Sequence, residues 1–121
     1  MKKKSRSLDK IKDDIKSAGK SFLGLKMADL LVRSKELEDR VSKRKLIEEY
    51  HSHQYGYYDK GIGGTSTRVN AAIRIISAEK VVYALGQIDG SDSRVLPEAV
   101  TKAKDTIRKI NSEELRLPNL V

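Results

Sequence analysis

Between Tyr50 and Gly64 the sequence reads YHSHQYGYYDKGIGG, which gathers four of the five tyrosines, both histidines and four of the eight glycines. Aromatic faces stack on unpaired bases, and neighbouring cations neutralise phosphates. The segment is flanked by Lys43, Arg44 and Lys45 on one side and by Lys60 and Arg68 on the other. One reading is therefore a nucleic-acid contact loop in which Tyr55, Tyr57 and Tyr58 stack on bases. The other is a loop whose tyrosines pack back onto the helices with their hydroxyls in water.

The glycines continue into Gly61-Ile62-Gly63-Gly64-Thr65-Ser66-Thr67. Glycines let a ligand approach the backbone closely, and the N–H groups that open a helix attract anions. Gly61, Gly63, Gly64 and Thr65 thus form a candidate anion-binding loop, with an ordinary loop before a capped helix as its alternative. The pattern is not a phosphate-binding Walker loop, because no Gly-Lys-Ser/Thr ends it, nor a dinucleotide fingerprint, because no strand precedes it. Gly19-Lys20-Ser21 does contain Gly-Lys-Ser, but Asp14 occupies the position where such a loop needs its first glycine. His51 and His53 could meet Asp59 or Glu49 around a metal. No third histidine and no cysteine completes a zinc set, so no metal site is expected. No serine has a nucleophile elbow around it, and nothing orients either histidine as a base. The sequence reads as that of a non-enzyme without a cofactor.

Charge points the same way. Lys and Arg number 25 against 17 Asp and Glu, for a net charge of +8. Residues 1–54 carry +6 of it and residues 55–121 only +2. Lys2, Lys3, Lys4 and Arg6 make the first seven residues a flexible basic arm of the kind that tracks phosphate backbones. The absence of cysteine excludes disulfides and thiol chemistry. No apolar run approaches the ~20 residues that span a bilayer. No apolar stretch follows the basic start as in a secretory signal. A cytoplasmic protein with no membrane contact is expected.

The elements that must position these residues are helices. Ile, Leu and Val supply 30 of 121 residues, enough for a core. Leu8, Ile11, Ile15, Ala18 and Phe22 fall in steps of three and four, with Ser7 as N-cap and a break between Gly19 and Gly24. Leu23, Met27, Leu30, Leu37 and Val41 form a narrow seam on a charged helix expected from about Leu25 to Tyr50. That seam suits a partner helix, in cis or in a second copy of the chain. Val69 to Leu85 is apolar on nearly every face and reads as the central buried helix, starting near Thr65–Thr67. Its Ile73–Ile76 stretch also allows a strand. Leu96, Val100, Ala103, Ile107 and Ile110 mark a last amphipathic helix begun by Pro97. The result is an all-α fold of three or four helices, one domain over residues 8–121.

The order helix, glycine-rich loop, helix resembles that of small phage regulatory proteins, and implies no individual residue roles. The expectation is a small, basic DNA- or RNA-binding regulatory or architectural protein, with DNA favoured, that self-associates through its seam. The alternative is a helical protein-binding module, an inhibitor, chaperone or assembly adaptor. It would grip an acidic protein partner with the seam and the apolar tail.

Overall fold

A computed structural model describes residues 7–52 and 62–118. The fold is all-α: α1 (Leu8–Ala18), α2 (Lys20–Val32), a 3-10 turn (Ser34–Leu37), α3 (Arg40–Ser52), α4 (Ile62–Ser77), α5 (Val81–Gly86) and α6 (Pro97–Asn111). The described residues thus form six α-helices where the periodicity suggested three or four. Two expected long helices are each broken once, and α1 is separated from α2.

The first break follows from glycine. Gly19 has φ +87°, a conformation that side chains resist, and it ends α1 while opening α2. Ser7 caps α1 as expected, its hydroxyl accepting from the Lys10 N–H.

The second break corrects the expected helix from Leu25 to Tyr50. The chain leaves α2 at Arg33, makes one 3-10 turn that buries Leu37, and restarts at Arg40. Asp39 accepts from the backbone N–H of Ser42 at 2.8 Å, so an aspartate that competes for backbone donors caps a new helix instead of continuing the old one.

The third break divides Val69–Leu85. Glu79 adopts φ 59°, and the N–H groups of Glu79 and Lys80 bond back to the carbonyls of Ile76 and Ile75. This is a helix-ending pattern that usually uses glycine. Ile73–Ile76 is helical, and α4 starts at Ile62, earlier than Thr65–Thr67. Ile62, Thr65, Val69, Ala72 and Ile76 repeat in steps of three and four, and Ile62 packs against the core.

The core runs through all the helices. α2 lies on α6, α1 and α3 on α4, and α5 on α6. Phe22, Leu23, Met27, Leu30, Leu46, Val69, Ile75, Val81 and Leu85 are fully enclosed, each contributing roughly 1.5–3 kcal/mol of burial. α2, buried along Phe22, Leu23, Gly24, Leu25, Met27, Leu30 and Leu31, shares the centre with α4. Its closeness to α6 needs small residues. A Cβ on Gly24 would lie 2.4 Å from the Ala99 carbonyl oxygen. On α6, Ala99, Ala103 and Thr106 accordingly form the innermost line, with Leu96, Val100, Ile107 and Ile110 packed beside it. Asp14 on α1 is buried and accepts a 2.9 Å bond from Arg74 Nε on α4, which fixes these two helices against each other.

Candidate functional site

The helix junctions open one groove of about 780 Å³. Lys12, Ile15 and Lys16 come from α1, Gly19 from the turn, and Lys20 and Ser21 from α2. Arg68 comes from α4, and Gln87, Asp92, Arg94 and Val95 from the end of α5 and the connection to α6. The sequence places them there for local reasons. Lys12 and Lys16 are one helical turn apart and share the solvent flank of α1 beside the inward Ile15. Gly19 then redirects the chain so that Lys20 starts α2 along the same groove. Ser21 is occupied structurally, its Oγ accepting from the Leu96 N–H at 3.0 Å.

Five cations and one carboxylate thus line the groove among the described residues. The carboxylate is committed. Asp92 accepts from the Arg94 backbone N–H at 2.9 Å and from its guanidinium at 3.1 Å through both Nε and Nη2. The Arg94 side-chain bond, then its backbone bond, hold the Asp92 carboxyl down at about 2, with Lys20 adding to the effect. Asp92 is therefore an anion at any physiological pH. It balances Arg94, leaving Lys12, Lys16 and Lys20 facing one tight ion pair.

Of the residues expected from sequence that the structure describes, Arg68 alone lines this groove. Lys43, Arg44 and Lys45 lie on α3, where Arg44 pairs with Glu48 at 3.4 Å. Gly63, Gly64 and Thr65 belong to the first turn of α4 and not to a loop. Thr65 is buried, and its hydroxyl is 3.0 Å from His51 Nδ1, so this side chain is engaged within the fold rather than offered to an anion. Thr67 donates to the Gly63 carbonyl. Lys2, Lys3, Lys4, Arg6, Tyr55, Tyr57, Tyr58, Lys60 and Gly61 lie outside the described residues. Lys12, Lys16, Lys20 and Arg94 were missed. The available signal was the i, i+4 spacing of Lys12 and Lys16 running into a glycine turn and a further lysine.

The seam finds its partner in cis. Leu23, Met27 and Leu30 have no exposure and Leu37 is 9% exposed, all within the core; Val41 is 63% exposed. Tyr50 is a core residue, not part of a loop. Its ring meets Phe22 edge to face at 6.0 Å, and the Lys26 ammonium sits 4.9 Å above it. Its hydroxyl donates to the Asp29 carboxylate rather than to water. Burial, reinforced by Asp29, pushes the phenol far above its ordinary value.

Next to it Arg33 gathers three acids. Its guanidinium donates to Glu36 at 2.8 and 2.9 Å, to Glu49 at 2.6 and 3.1 Å, and to Asp29 at 3.4 Å. These bonds raise the Arg33 pKa, those to Glu36 first, and the same pairing holds Glu36 below the usual carboxylate range. The cluster ties the end of α2, the 3-10 turn and α3 together across the break. Among the described residues no group of three or more His, Asp or Glu is placed to hold a metal ion, and no helix is long and apolar enough to cross a membrane. No family model, curated protein or solved structure matches the chain.

Proposed function

We propose that this protein is a small non-enzymatic nucleic-acid-binding protein whose contact surface is the groove between α1, α2, α4 and the α5–α6 connection. The observation that supports this reading is the imbalance inside the groove. Lys12, Lys16 and Lys20 from two helices converge on one concavity whose single described carboxylate is already paired with Arg94. Like charges brought together cost free energy in the unliganded protein, and a polyanion relieves that cost while releasing its own counterions. Regulatory or architectural work, which needs binding without chemistry, fits a surface of this kind.

A mobility-shift series with single-stranded DNA, duplex DNA and RNA probes at two salt concentrations tests the reading. Binding should weaken steeply with salt for at least one probe. Replacing Lys12, Lys16 and Lys20 by Gln should lower the salt slope by about two units, at ~0.7 per lost contact on a single strand. Absence of binding to all three probes at low salt would overturn the proposal.

A further inference from the structure

We infer that the groove receives one unpaired nucleotide unit of a single strand, not the outer surface of a duplex; this rests on the nucleic-acid reading above. The reason is shape combined with lining. A duplex presents its phosphates on a convex rod, which flat or protruding cations meet best. Here the cations border an open groove of about 780 Å³, within the range of small-ligand sites, about 300–1,000 Å³. A base paired inside a duplex keeps its faces in the stack, whereas an unstacked one presents them to such a groove.

The lining also suits the parts of such a unit. Lys12, Lys16 and Lys20 supply ammonium groups for the phosphate. The Arg68 and Arg94 guanidinium planes are the groups on which splayed bases stack. Gln87, exposed at the end of α5, carries an amide that both donates and accepts, as the edge of a base requires. A groove built for phosphate alone has no use for the amide. The chemistry is that of a nucleoside phosphate, and the source assigned to it is the strand.

Fluorescence anisotropy with a labelled 12-nucleotide single strand, the same sequence as a duplex, and unlabelled AMP as competitor tests this on the full chain. The single strand should bind at least tenfold more tightly than the duplex, with AMP displacing it only at far higher concentration. Gln87→Glu and, separately, Lys16→Glu should each weaken single-strand binding about tenfold while duplex binding changes less than threefold. Both side chains are exposed, and an unchanged circular dichroism melt shows that the variants fold. Equal affinity for strand and duplex overturns the inference and leaves the nucleic-acid reading standing. Displacement by AMP at concentrations no higher than those of the oligonucleotide assigns the groove to a free nucleotide and overturns the strand assignment. No binding to either oligonucleotide overturns both.

Discussion

Arg33 and the groove beside α1 both concentrate positive charge, and the fold treats them in opposite ways. Arg33 is surrounded: Glu36, Glu49 and Asp29 take up its donors, and its side chain is only 23% exposed. In the groove, Lys12 and Lys16 are exposed and Lys20 and Arg68 partly so, with one carboxylate, already paired, among the described lining residues. The first arrangement holds helices together across a break. The second gathers lysines along one open groove, the surface proposed above for a polyanion. Net charge alone does not separate these roles; the company each cation keeps does.

The contrast yields four predictions. The largest effect belongs to the groove: Lys12→Gln, Lys16→Gln and Lys20→Gln together should lower single-strand affinity roughly 100-fold at low salt. Stability should change by less than about 0.5 kcal/mol, because these are surface positions. Anisotropy and urea unfolding measured on the same preparation read both quantities. Arg33→Ala should do the reverse. Removing the guanidinium leaves three carboxylates facing one another, so unfolding should become easier by about 1 kcal/mol, while affinity stays within twofold of wild type. Comparable losses of affinity in the two variants would dissolve the distinction.

The Arg33 cluster also sets a pH dependence. Its pairing keeps Glu36 ionised to lower pH in the folded protein than in the unfolded chain. The resulting stability is present above the unfolded glutamate value near 4.3 and is lost as pH falls through the depressed folded value. The gap in urea midpoint between wild type and Arg33→Ala should therefore narrow steadily below about pH 4. A gap that stays constant down to pH 2 would show that the cluster acts through packing alone. The smallest effect concerns Arg94. Its charge is spent on Asp92, so Arg94→Gln should cost only about two- to threefold in affinity, and Asp92→Asn should improve affinity by a similar factor.

The same contrast explains what could be read from the sequence. The Leu8–Phe22 spacing and Pro97 revealed α1 and α6, because an apolar stripe and a helix-starting proline are local signals. The break at Asp39 was hidden because the 3-4 spacing of the seam runs through it without interruption. Only the capping of Ser42 by Asp39 marks a new start. The break at Glu79 was hidden because a glutamate occupies a position that glycine usually signals. By sequence Tyr50 belongs with the neighbouring tyrosines, yet its place opposite Phe22 depends on α3 folding back, a tertiary fact. The groove was harder still. Lys12 and Lys16 look like any solvated helix flank until Arg68, 52 residues beyond Lys16, and Arg94 are brought alongside.

The most direct test of the groove as the contact surface is a two-dimensional nitrogen–proton NMR titration of the labelled protein with a short single-stranded oligonucleotide. Shifts should concentrate on the amides of Lys12, Lys16, Gly19, Lys20, Arg68, Gln87 and Arg94, with Arg33, Glu36 and the α3 residues Lys43 to Glu49 unmoved. Saturable shifts confined to α3, with the groove amides unchanged, would contradict it.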